Sequence, residues 1–276
     1  MLPINKITTP EELLNILEME SLRHRLLRYQ EMLDELRYIL KDRIEPSLPN
    51  ISTFMIEQSL SDIDKTGLVF LAKKFNLNNN DIPHVTGLKI DIKSFLFTSR
   101  QLIDQQLSII NALSKIVQED GCKNQLSKDL GTFIPKLHSG LYSIKPQINN
   151  YFLSHTFELL YLRFMRNSVK TIGDLKAEMI YTTSNTEINI TIKACYQSND
   201  KLLQYLSTDK IELFNFKLIE IFTKTLDLFA LYNNLVMDLL VEHAKKIIPE
   251  VEIELNGCDY NLSAHSQLND IQISTD

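Results

Sequence analysis

Leu22, Leu26, Tyr29, Leu33, Leu36 and Leu40 recur at intervals of four, three, four, three and four. An α-helix puts all six side chains on one stripe, whereas a strand would scatter them over both of its faces. Just upstream, Thr9-Pro10-Glu11-Glu12 reads as a helix start. Thr9 is the cap, Pro10 takes the first helical position, and Glu12 is placed to close a capping box. The pattern predicts one long amphipathic helix over residues 10–43, closing before Pro46 and Pro49. Arg23, Arg25, Arg28, Glu31, Asp34 and Glu35 flank the stripe, so the seam is heptad-like. Such an arm either packs on its own bundle or pairs with a second copy, and the seam alone does not choose.

Helical spacing continues along the chain. Residues 53–75 read as one or two shorter helices, 76–81 as a polar turn, and 81–91, with Pro83 and Gly87, as irregular. That irregular stretch divides a first part, 1–80, from a second, 91–276, although both can belong to one continuous domain. Phe95, Leu96, Leu102, Ile103, Leu107, Ile110, Leu113 and Ile116 mark the buried face of a helix over 91–118. Pro146 opens a helix leading into 155–179, where Phe157, Leu160, Phe164 and Val169 repeat at helical intervals. Gly173 marks an end there, and Asp174 caps a following helix through Leu175, Met179 and Ile180. Phe214, Leu218, Phe222, Leu226, Phe229, Val236 and Leu240 predict a further helix over 211–247. Residues 187–194 alternate and are β-branched, as a strand does; Val251, Ile253 and Leu255 alternate likewise, and 271–273 is a third candidate. These strands should pair with one another. The fold class is therefore mainly α: a helical bundle with a long N-terminal amphipathic helix and a few short β-strands in the C-terminal third.

Seven Gly and eight Pro among 276 residues agree with long helices. The net charge of −6 gives no global drive toward nucleic acid or an anionic membrane, so RNA could be held only through a local basic patch. Cys122, Cys195 and Cys258 are far apart and form no C-x-x-C pair, which suits a reducing, cytoplasmic setting without a zinc site or disulfide framework. No secretory signal pattern opens the chain, and Asp227, Asn233, Asn234 and Asp238 interrupt its most apolar helix, so no membrane span is expected. There is no Gly-rich phosphate loop, H-E-x-x-H or G-x-S-x-G motif, and no cofactor or metal is expected.

One constellation carries sharper chemistry. The helix Phe95-Leu96-Phe97-Thr98-Ser99-Arg100-Gln101-Leu102-Ile103-Asp104, with Arg166-Asn167-Ser168-Val169-Lys170-Thr171 much later, resembles the two signature helices of HEPN domains. These are helical-bundle proteins common in prokaryotic toxin–antitoxin and antiviral systems, many of them metal-independent RNases. Their motif is Arg, a polar residue often Asn, three residues, then His. The resemblance spans roughly 91–247. It implies that Arg166 stabilises charge on a phosphorane-like transition state, that Asp104 orients Arg166, and that the protein self-associates as a homodimer.

Thr171 stands where the motif has His, and its hydroxyl does not titrate near neutral pH. General acid–base catalysis typically contributes ~10²–10⁴-fold, so a site without it is a feeble nuclease. His24, His84, His138, His155, His243 and His265 do not restore the spacing. The expectation is a catalytically degenerate interaction protein working through self-association or an unidentified protein partner. A metal-independent RNase and an unrelated helical scaffold are the alternatives. In the plainer reading Arg166 pairs with Glu158 or Glu178, and Arg100 with Asp104, four apart on one helix, form an intrahelical ion pair.

Overall fold

The protein is seen in a computed structural model that describes residues 6–49, 72–76, 85–118, 125–171, 175–181, 186–192, 201–206 and 218–255. Helices dominate them, as the spacing requires, and the short strands are accessory.

Helix α1 (Pro10–Ile16) begins at the capping box: Thr9 accepts from the Glu12 amide at 3.2 Å, and Glu12 accepts from the Thr8 and Thr9 amides. The single helix expected over 10–43 is broken after Leu17. Glu18 takes a left-handed conformation at φ 53°, the Glu18 amide reaches the Asn15 carbonyl, and the Met19 amide reaches that of Leu14. This is the double bond of a Schellman ending, built here without the usual glycine. Helix α2 (Glu20–Tyr38) then runs into a π-helical segment (Ile39–Ile44), and residues 45–49 are helical again, so the turn is not closed before Pro46. Leu22, Leu26, Tyr29, Leu33, Leu36 and Leu40 are all buried, so the stripe packs within its own chain.

Helix α3 (Val85–Ala112) is the partner of that stripe, with the one-turn α4 (Ser114–Val117) after it. It starts six residues before the expected boundary, so the irregular reading of 85–91 is corrected. Helices α5 (Leu130–His138), α6 (Pro146–Ser154) and α7 (Thr156–Thr171) follow, then a 3₁₀ turn (Lys201–Tyr205) and α8 (Leu218–Ile247). One cluster of buried side chains runs from Ile7 and Leu13 through α3 and α7 to Ala244. At its centre Phe95 of α3 stacks on Phe222 of α8, centroids 3.8 Å apart.

Strand β1 (Lys6–Ile7) pairs in parallel with β5 (Glu252–Ile253), with Lys6 opposite Glu252 and Ile7 opposite Ile253. A second sheet has the order β2 (Ala72–Asn76), β3 (Leu175–Tyr181), β4 (Thr186–Ile192), antiparallel throughout. The strand expected at 187–194 is therefore present through Ile192, with 193–194 outside the described residues, but its partner is 175–181, a segment expected to be helical. Likewise 72–75 belongs to a strand, and β5 finds its partner at the other end of the chain rather than in β4. The helices expected in 53–71, the turn at 77–81, the Gly173-Asp174 boundary, residues 211–217 and the strand at 271–273 lie outside the described residues. No helix among the described residues is long and apolar enough to cross a membrane.

Candidate functional site: the arginine corner between α3 and α7

Phe97, Arg100 and Asp104 lie on α3 at successive offsets of three and four, and on α7 Arg166 and Asn167 lie three and four residues after Arg163. Each set therefore occupies one stripe of its helix. The two helices pack together, which brings the stripes into one corner. Asp129, the N-cap of α5, closes it from a third side, its carboxylate accepting from the Thr132 amide at 3.0 Å.

Arg100 is the hub of the acidic half, 2.5 Å from Asp104 and 3.6 Å from Asp129. Burial raises the Asp104 carboxyl above its ordinary pKa, the Arg100 guanidinium pulls it back down, and the more distant charges of Asp129 and Arg166 act weakly in opposite senses. Arg163 lies close by: a Cβ added at Gly131 would sit 3.0 Å from the Asp129 carboxylate and 3.5 Å from an Arg163 nitrogen. The glycine is thus where α5 lets the guanidinium approach its cap.

The Arg166 guanidinium lies over the Phe97 ring, 4.9 Å from its centroid, and donates to the Asn167 side-chain oxygen at 3.2 Å. Its Nε is buried and has no hydrogen-bond partner. Phe97 is 37% exposed, so the pair reaches the surface. Arg166 thus faces Asp104's helix, but the group it touches there is an aromatic ring, while Asp104 is held by Arg100. Of the acids expected to pair with Arg166, Glu158 sits instead 4.0 Å from His155; the Glu178 side chain is not among those described. Thr171 is the last residue of α7, and its side chain too lies outside the described set.

Three guanidiniums and two carboxylates can grip an anion or a planar group, but moving a proton near neutral pH needs another kind of side chain. The described histidines lie elsewhere. His24 is beside Glu20, His138 hydrogen-bonds Thr156 Oγ1 and packs on Tyr205, and His243 is near Lys145 and Lys246 on the far part of α8. His155 precedes Arg166 by eleven residues, roughly 16 Å along the helix axis. His84 and His265 are not among the described residues. No group of three or more His, Cys, Asp or Glu side chains that could hold a metal is found among the described residues.

The sequence reading missed a second polar constellation, deep in the bundle. Gln106 of α3 is fully buried, and its Nε2 donates to the hydroxyls of Tyr29 (3.1 Å) and Tyr151 (2.9 Å). Those hydroxyls donate in turn to the α8 carbonyls of Phe229 (2.9 Å) and Leu228 (3.2 Å), while Tyr232 of α8 donates to the Gln106 backbone carbonyl at 2.8 Å. Burial pushes all three phenols above their ordinary range. The available signal was position: Gln106 falls four after Leu102 and three after Ile103, on the apolar stripe itself.

No protein-family model matches this chain, no curated protein is significantly similar to it, and no solved structure matches it significantly.

Proposed function

We propose that the chain is a helical interaction protein, resembling a catalytically degenerate HEPN-type module, whose α3–α7 corner is a contact surface for a second copy of itself. The observation that carries this reading is the Arg166–Phe97 cation–π pair, an arginine placed over a partly exposed aromatic ring. Arg and aromatic residues are enriched at the energetic centres of protein interfaces, and a guanidinium already ordered on a ring loses less freedom on association. Asn167 braces the guanidinium from its own helix, and Arg100 keeps Asp104 from drawing it away. Toxin–antitoxin or antiviral defence is the setting that the resemblance suggests.

One observation favours a second reading, the metal-independent RNase of the same bundle type: the buried Arg166 Nε has no acceptor, as in an arginine that awaits a phosphate. The two readings separate in one experiment. The full chain, Phe97→Ala and Arg166→Ala are compared by analytical ultracentrifugation and by incubation with single-stranded RNA in EDTA. The interaction reading expects a dimer that each substitution weakens about tenfold or more, the loss typical of an interface hot spot, and no RNA cleavage. Cleavage that Arg166→Ala abolishes would establish the RNase instead. A monomer without cleavage would leave a helical scaffold of another kind.

A further inference from the structure

A cleft separate from the arginine corner opens between the first half of α7 and the start of α8. Phe157, Glu158 and Tyr161 form one wall, and Ile221, Lys224 and Thr225 form the other. Its empty space is about 410 Å³ when counted out through its open mouth. Glu158 is eight residues before Arg166, roughly 12 Å along the helix.

The walls differ in what they leave available. On α8 the Lys224 ammonium is 2.7 Å from Glu220, and the Thr225 hydroxyl donates to the Ile221 carbonyl at 2.8 Å, so both polar groups have partners within their own helix. On α7 the Phe157 and Tyr161 rings stack with centroids 5.8 Å apart and planes 20° apart. Beside them one oxygen of the Glu158 carboxylate is buried without a hydrogen-bond partner. The His155 Nδ1 beside it is 4.0 Å away, beyond hydrogen-bonding distance. The Glu158 side chain as a whole is 40% exposed, so a ligand entering the mouth can reach it, and a cationic N–H group is the strongest complement to the oxygen that lacks a donor. Of the two charged residues lining the cleft, Lys224 is already paired with Glu220 while Glu158 is left for a ligand cation.

We propose that this cleft binds a small primary amine with an aromatic body, the body lying along Phe157, Tyr161 and Ile221 and the ammonium donating to Glu158. Aromatic faces attract a neighbouring cation as well as an apolar body, so the two stacked rings serve both ends of such a molecule. The site is independent of the self-association proposed above and survives its failure.

The test titrates 2-phenylethylamine into the full chain and reads binding by saturation-transfer NMR and calorimetry. 2-Phenylethanol and 3-phenylpropionate serve as the neutral and anionic counterparts. The amine should bind with a Kd in the millimolar range or tighter, as a ligand of this size can. Each counterpart should bind about tenfold or more weakly, the difference a charge-assisted hydrogen bond supplies. Glu158→Gln, nearly isosteric, should weaken the amine about tenfold and leave the alcohol unchanged. Ile221→Phe should fill the cleft and remove amine binding with the helical circular dichroism retained; if that variant does not fold, Glu158→Gln decides alone. Equal binding of amine and carboxylate, no saturable amine binding up to about 20 mM, or an unaffected Glu158→Gln protein would each overturn the proposal.

Discussion

Removing a phenolic hydroxyl from the Gln106 network should cost different amounts at Tyr29 and Tyr232, although the chemical change is identical. Tyr232 only donates, to a carbonyl inside α3. Tyr232→Phe therefore loses one net hydrogen bond, about 1 kcal/mol, and strands no donor. The Tyr29 hydroxyl donates to Phe229 and also accepts from Gln106 Nε2. Tyr29→Phe loses a similar bond and leaves one N–H of a fully buried amide unsatisfied, a further cost of about 1–3 kcal/mol, for a total of about 2–4 kcal/mol. Both changes delete the same atom, so the small void each leaves cancels in the comparison. The assay is urea unfolding followed by far-ultraviolet circular dichroism, read as a shift of midpoint at unchanged slope. In a Gln106→Met background there is no amide to strand. There Tyr29→Phe should fall back to about 1 kcal/mol, a coupling of about 1–3 kcal/mol in the double-mutant cycle. If Tyr29→Phe costs no more than Tyr232→Phe, or the cycle shows no coupling, the network is not organised around the amide and the reasoning fails.

Two other outcomes follow from the same geometry. Tyr29, Tyr151, Tyr161 and Tyr232 all have pKa values raised by burial. The unfolded chain therefore sheds these protons first, and stability that is complete below the unfolded pKa near 10 falls as pH rises above it. By pH 11 each should cost about 1.4 kcal/mol, and tyrosinate absorbance from these four should appear only together with loss of helical circular dichroism; all ten tyrosines ionising while the helices persist would contradict it. At the α1–α2 break, Glu18→Gly should raise the unfolding free energy by about 0.5–1 kcal/mol, read as a higher urea midpoint, because a left-handed residue with a side chain is strained by about 1–2 kcal/mol and glycine gives back part of that in chain entropy; a destabilised variant would mean that the Glu18 side chain has a role its backbone does not reveal.

What the sequence made legible was local. The capping box at Thr9 and Glu12 depends on four adjacent residues, and the stripes of α3 and α8 on regular intervals, so both could be read without knowing what lies opposite. The break at Glu18 was hidden because the usual marker, glycine, is missing, and the stripe that identifies the helix begins only at Leu22, beyond it. Lys176, Ala177, Glu178 and Met179 are good helix formers, yet β2 and β4 on either side make them a strand, an instance of pairing overriding propensity. The arginine corner was half legible. Arg166 and the Arg100–Asp104 pair could be named from spacing, but the ring that Arg166 rests on is 69 residues away, and no local pattern points to it.

The parallel pairing of β1 with β5 has a mechanical consequence. Lys6 and Glu254 form an ion pair there, and the Glu254 amide donates to the Ile7 carbonyl at 2.9 Å. A load applied between residue 6 and residue 254 would draw two parallel strands from opposite ends, along their length. Their bonds would then be sheared together rather than unzipped singly. The clasp meets such tension before any helix does, and the bundle within its loop is shielded until it slips.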